Sequence, residues 1–161
     1  MKIGVISDTH NFFDDKLRQF FENVDEIWHA GDIGSLEIAD EIASFKPLFA
    51  VHGNIDDTET RMVYPKVLEI QRENTNIIIS HIMGYPGKYS MDGMNLIKKR
   101  PKILVGGHSH ILKVMYDEKN DLLFMNPGAA GVIGFHRVRT ALRFNIIEGK
   151  IEGMEAGEWD K

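Results

Sequence analysis

Hydrophobic positions in the first third of the chain switch between two periods. Ile3 to Ile6 form a short apolar block containing β-branched residues, which predicts a strand over Lys2 to Ser7. Leu17, Phe20 and Phe21 recur at helical spacing within Asp14 to Glu22. Asp25 to His29 is a second strand. Ser35 can cap a helix that carries Ile38, Ile42 and Phe45 on one face, and Lys46-Pro47 ends it. Leu48 to Val51 is a third strand. This βαβαβ order predicts a mostly parallel sheet.

The pattern then shifts toward hairpins. Val67 to Gln71 and Asn76 to Ser80 pair around Glu73-Asn74-Thr75. A helix from about Met91 to Lys99 ends before Pro101. Ile103 to Val105, Leu112 to Tyr116, Leu122 to Met125, Ala141 to Ile147 and Lys150 to Met154 read as strands. No linker, repeat or low-complexity segment interrupts them. The expectation is one α/β domain over 1–161: two mixed β-sheets packed face to face, with helices outside.

The chain has no cysteine, so a disulfide, a thiolate metal site and a cysteine nucleophile are all excluded. Any transition metal must be held by His, Asp, Glu or Asn. With 19 Lys and Arg against 24 Asp and Glu, the net charge of −5 argues against a broad nucleic-acid surface. No apolar run approaches the roughly 20 residues of a membrane span. The N-terminal apolar stretch is too short for a signal peptide. A cytoplasmic protein is expected.

Five short segments carry the chemistry: Asp8-Thr9-His10, Gly31-Asp32, Gly53-Asn54, His81 and Gly107-His108-Ser109-His110. Four of them follow a predicted strand, and the carboxyl ends of parallel strands are where α/β proteins place their sites. Residues two apart on an extended chain point to the same side, so Asp8 with His10, and His108 with His110, can converge. Seven oxygen and imidazole donors result: Asp8, His10, Asp32, Asn54, His81, His108 and His110. One ion rarely takes so many ligands of this kind. Two ions sharing Asp32 account for all of them. Each segment alone also reads as a turn, a capping acid or a solvated histidine.

The ordered set SDTH, GD, GN, H and GHSH resembles the calcineurin-like metallophosphoesterase superfamily. The chain length and Asn126-Pro127-Gly128 look like its small YfcE-like phosphodiesterase branch, over residues 2 to about 147. The resemblance implies two β-sheets flanked by helices. It also implies that Asp8, His10 and His110 bind one metal and Asn54, His81 and His108 a second, with Asp32 bridging. The expected activity is hydrolysis of a small phosphodiester. Two cations about 3.5–4 Å apart would clamp the phosphoryl group and generate a bridging hydroxide. Asn54 and His81 thus stand among the catalytic candidates as well. Mn²⁺ is favoured by the resemblance; Fe, Ni, Zn or Mg would also suit an all-N/O donor set. A phosphomonoesterase using the same site is one alternative. Another is a non-enzymatic scaffold like the family's retromer subunit. A homo-oligomer is left open.

Two departures from the family pattern stand out. Ile55 follows Gly53-Asn54 where many relatives carry His, and Ala129 follows Asn126-Pro127-Gly128 where the branch often has Ser. The missing imidazole directs attention to the glycine-rich segment Gly128 to His136. His136, Arg137 or Arg139 could reach the phosphate from that loop, with His136 as a proton donor. The alternative is a surface loop with His136 solvated. Asn11 could donate to a phosphate oxygen or simply shape a turn. His29 is read as holding a ligand's orientation rather than binding metal. His52 is open to the same two readings.

Overall fold

The computed structural model describes all 161 residues. The strands are β1 (Lys2–Ile6), β2 (Glu26–His29), β3 (Leu48–Ala50), β4 (Val67–Arg72), β5 (Thr75–Ser80), β6 (Gly84–Tyr85), β7 (Lys88–Tyr89), β8 (Ile103–Val105), β9 (Leu112–Asp117), β10 (Leu122–Pro127), β11 (Val138–Ile147) and β12 (Lys150–Asp160). The helices are α1 (Asp15–Phe20), α2 (Leu36–Phe45), α3 (Thr58–Val63) and α4 (Met91–Ile97). The strands form two five-stranded sheets, β12-β11-β1-β2-β3 and β4-β5-β8-β10-β9, with β6 and β7 as a separate small hairpin. Each sheet has three parallel strands, β1 with β2 and β3 in one and β5 with β8 and β10 in the other. Antiparallel strands flank them. The parallel sheet expected from the βαβαβ start is therefore the centre of a mixed one.

The apolar blocks are continuous because both faces of each sheet are covered. Along β1, Ile3 and Val5 point into the layer between the sheets, while Ile6 points outward against α1 and α2. Along β5 and β8, Ile77, Ile79, Ile103 and Val105 face the same inner layer. Ile78 and Leu104 face α4. Each fully buried aliphatic side chain of this kind contributes on the order of 1.5–3 kcal/mol. The result is helices, sheet, sheet, helix, the layering the sequence predicts. No helix is long and apolar enough to cross a membrane.

The helix ends show local chemistry at work. The Asp14 carboxylate accepts from Leu17 N–H and caps α1. Arg139, read from sequence as a phosphate candidate, instead pairs with Asp14 at 3.0 Å and is almost wholly buried. Its guanidinium is thus committed to the α1 cap.

Candidate metal centre

All five motif segments lie just past the carboxyl ends of parallel strands: β1, β2, β3, β5 and β8. Main-chain hydrogen bonds lock the loops together. Asp8 N–H donates to Gly31 O at 2.9 Å, His10 N–H to Asp32 O at 3.1 Å, and Gly107 N–H to His81 O at 3.0 Å. Asp8, His10, Asn11, Asp32, His108 and His110 all have positive φ, between 47° and 68°. That left-handed conformation is uncommon for residues with a Cβ, and its clustering marks a functional site. Gly53 is required for the approach of its loop, since a Cβ there would stand 2.0 Å from Asp32 Oδ1.

The side chains converge as two triads. In each of Asp8–His10–His110 and Asp32–His81–His108, the ligand atoms lie within 4.8 Å of one another. His110 Nε2 lies 3.1 Å and His10 Nε2 4.0 Å from Asp8 Oδ1. His10 Nε2 also lies 3.8 Å from Asp32 Oδ2, which His81 Nε2 approaches at 3.3 Å. Asp32 thus stands between the two groups. Asn54 Oδ1 is 3.1 Å from His81 Nε2, beside the second triad.

The donor set fits divalent cations. Asp8 Oδ1 and His10 Nε2 are buried with no hydrogen-bond partner. A buried orphan of this kind costs about 1–3 kcal/mol, more when charged, unless a ligand satisfies it. His81 Nδ1 contacts Ala30 O at 2.7 Å. A carbonyl only accepts, so Nδ1 carries a proton; Nε2 then donates to Asp32 while the ring is charged and is bare when the ring is neutral. Burial opposes ionisation of Asp32. The His81 hydrogen bond and charge, with the Ile55 N–H, outweigh it and hold the carboxyl below its usual range. Burial likewise opposes protonation of His81, yet Asp32 and Asp8 raise its pKa. The pocket favours positive charge.

The remaining histidines have defined tasks. His29 Nε2 is 2.8 Å from Thr9 Oγ1, whose hydroxyl donates to Ile33 O, and His29 Nδ1 accepts from Gly31 N–H at 3.1 Å. It ties the Asp8 loop to the Asp32 loop through Thr9 and the Gly31 main chain, rather than touching a ligand side chain as the sequence reading had it. His52 Nδ1 lies 3.2 Å from its neighbour Gly53 O. Asn11 is exposed, and its N–H donates to Ile33 O at 2.9 Å.

His136 departs from the expected proton donor. Its Nε2 lies 2.9 Å from Gly131 O and its Nδ1 3.1 Å from His110 Nδ1. Both ring nitrogens are committed, so neither is free for a leaving group. His136 is half-buried, on a loop that is otherwise largely exposed.

One supporting residue escaped the sequence reading, and a second was noted there only as part of Asn126-Pro127-Gly128. Asp56 is buried and accepts from Gly34 N–H at 2.8 Å and Gly53 N–H at 2.7 Å, clamping the Asp32 and Asn54 loops. An acid two residues past Gly53-Asn54 was the available signal, but it reads equally as a turn. Asn126 donates to Gly107 O at 2.8 Å and accepts from Gly128 N–H, holding the His108 loop.

Beside His108 opens a groove of about 280 Å³, lined by Ile82, Met83, Tyr85, Ile111 and Phe124, with Lys113 at its edge. The Lys113 ammonium sits 4.3 Å from the centre of the Tyr85 ring.

Comparison with known proteins gives a consistent picture. Residues 1–149 match the calcineurin-like phosphoesterase superfamily domain. A Methanocaldococcus jannaschii protein named "Probable metallophosphoesterase" is 33% identical over 139 residues, covering 82% of this chain and 69% of that protein. A second protein from that organism, named a phosphodiesterase, is 26% identical over 144 residues, 80% and 83% of the two chains. Among solved structures, Vps29 from Entamoeba histolytica complexed with Zn²⁺ has a TM-score of 0.72 at 17% identity, over 99% of both chains. YfcE, a phosphoesterase from E. coli, has a TM-score of 0.62 at 15% identity, over 96% of this chain and 98% of that one.

Proposed function

The chain belongs to the calcineurin-like phosphoesterase superfamily, and on that premise we propose that it is a phosphodiesterase hydrolysing small phosphodiesters at a pair of divalent cations that share Asp32. The observation that carries this reading is the pair of triads, with Asp32 between them and two buried donor atoms that no protein group satisfies.

Asp8, His10 and His110 would hold one cation with Asp32. Asn54, His81 and His108 would hold the other with the same carboxylate. Such ions supply Lewis acidity toward phosphoryl oxygens and acidify bound water; Mn²⁺ is our preferred pair. The chain's own part is positioning. The buried carboxylates and the fixed Nε2 of His81 keep the donors aimed without reorganisation. The groove beside His108 gives one ester substituent an apolar berth, with the Tyr85 face and Lys113 suited to a flat or anionic group. Ile55 is 46% exposed and has no proton to give. With His136 also committed, departure of the alcohol rests on its own acidity, so activated esters should be favoured.

The test is hydrolysis of a bis-aryl phosphodiester and the matching aryl monoester, with and without Mn²⁺. Metal-dependent cleavage of the diester, faster than the monoester, is the expected result. The reverse order would make the chain a phosphomonoesterase. A scaffold is a second reading with its own support: β9 is an edge strand with Val114, Met115 and Tyr116 exposed, and the zinc-bound neighbour is a Vps29. No turnover of either ester by the metal-loaded chain would favour it. Cytoplasmic residence also remains part of the proposal.

A further inference from the structure

His110 reaches toward the first cation position through Nε2, and what lies behind its ring decides whether that nitrogen is a donor atom. His136 Nε2 is 2.9 Å from Gly131 O. A carbonyl cannot donate, so His136 Nε2 carries a proton. In the neutral ring His136 Nδ1 is then an acceptor, and it lies 3.1 Å from His110 Nδ1. Two facing ring nitrogens share one proton, which must belong to His110 Nδ1. In the neutral ring His110 Nε2 is therefore bare, 3.1 Å from Asp8 Oδ1. A lone pair facing a carboxylate oxygen is repulsive unless a cation lies between them.

We infer that His136 is a positioning residue that holds the His110 proton on Nδ1 and so keeps His110 Nε2 available as a metal donor. This rests on the two-cation reading above. It departs from the general-acid role expected of His136, because it requires no contact with substrate. The loop is shaped for the task. Gly134 has φ +129°, and a Cβ there would stand 2.4 Å from His110 Nδ1 and 3.1 Å from His136 Nδ1. Only glycine lets the backbone pass over the paired rings. The same loop is anchored to the strand end that bears Asp8, through Ala130 N–H to Ser7 O at 2.9 Å and Gly131 N–H to Asp8 O at 3.1 Å. One loop thus fixes the main chain of Asp8 and the ring of His110, two members of one triad. In the second triad a main-chain carbonyl, Ala30 O, does for His81 what a side chain does for His110. Partners of this kind behind a metal-binding histidine typically change affinity by about 10–100-fold when removed.

The experiment compares wild type, His136→Asn and His136→Leu. Asn keeps an acceptor oxygen close to where Nδ1 stands; Leu fills the space without one. Calorimetric titration with Mn²⁺ should show two ions in the wild type. His136→Leu should bind one of them about 10–100-fold more weakly and the other unchanged, and His136→Asn should stay within a few-fold of wild type. Long-range ¹⁵N–¹H spectra of the metal-free wild type at neutral pH should show His110 protonated on Nδ1. That measurement needs no variant, so it decides the matter even if His136→Leu fails to fold. His110 protonated on Nε2, or equal affinity losses in the Leu and Asn variants, would overturn the inference. So would unchanged two-ion binding in His136→Leu. A wild type that binds no ion would instead overturn the cation reading itself.

Discussion

The two triads use the same side-chain types, one Asp and two His each, yet the structure holds them differently. In the first, Asp8 is completely buried, and its Oδ1 and His10 Nε2 have no hydrogen-bond partner. In the second, Asp32 accepts from Ile55 N–H at 3.0 Å and is approached by His81, which is itself near Asn54 Oδ1. The second triad is partly satisfied by protein. The first is supported too, by His108 N–H donating to Asp8 Oδ2 at 3.1 Å and by His136 behind His110, but it keeps two buried donor atoms that no protein group satisfies. We therefore expect the first cation to bind more tightly and to contribute more stability, while the second exchanges more readily and meets substrate at the adjoining groove.

The largest effect should come from the residue the triads share. Asp32→Asn should lower turnover by more than the ~10–100-fold that loss of a supporting partner costs, and should weaken both ions together. Kinetics with a bis-aryl phosphodiester and metal analysis of the same preparation check this; near-normal turnover with two bound ions would break the assignment.

Next come the members that are not shared. His10→Ala should lose the tighter ion, and His108→Ala the weaker one, each retaining the other. Adding Mn²⁺ at about 100 times its dissociation constant stabilises a fold by roughly 2.7 kcal/mol per site. Thermal melts should therefore show a larger metal-induced rise for His108→Ala than for His10→Ala. Equal rises would remove the contrast between the sites.

How much of this was legible in the sequence differs between fold and site. The apolar blocks of β1, β5 and β8 announced buried strands because both their faces are covered. Helix α3 left no such trace: its six residues bury only Thr60, expose Met62 and Val63, and owe their start to the Asp57 cap. The far half of β12 reads as polar because it runs along a sheet edge, paired only with β11. The hairpin of β6 and β7 is too short to show a period. Helix α1 stops at Phe20, two residues before the predicted end, and Phe21 follows as its buried C-cap residue. The seven donor positions could be picked out by residue type and spacing. The partner of His136 could not, since residues 110 and 136 meet only through tertiary structure.

A third prediction addresses the missing proton donor. Ile55→His should leave cleavage of a well-activated aryl diester within a few-fold and accelerate that of a poorly activated alkyl diester. General acids typically contribute 10²–10⁴-fold when well placed. A plot of log rate against leaving-group pKa should be steep for wild type and shallower for the variant. Parallel lines would mean that the wild type already has a donor.

The smallest effect concerns the tie between the loops that carry the triads. Burial lowers the His29 pKa from 6.5 to about 4. Between those values the unfolded chain takes up a proton that the folded chain refuses, so stability falls as pH drops through that window. The melting temperature of the metal-free protein should fall less between pH 7.5 and 5 in His29→Gln than in wild type. An identical pH slope would show that His29 is not held neutral by the fold.

A pair of cations sharing Asp32 would be seen directly in an anomalous-difference map from a crystal of the Mn²⁺-loaded protein. Two peaks should lie on either side of Asp32, one among Asp8, His10 and His110 and one among Asn54, His81 and His108. A single peak, or two peaks that do not share Asp32, would contradict that arrangement.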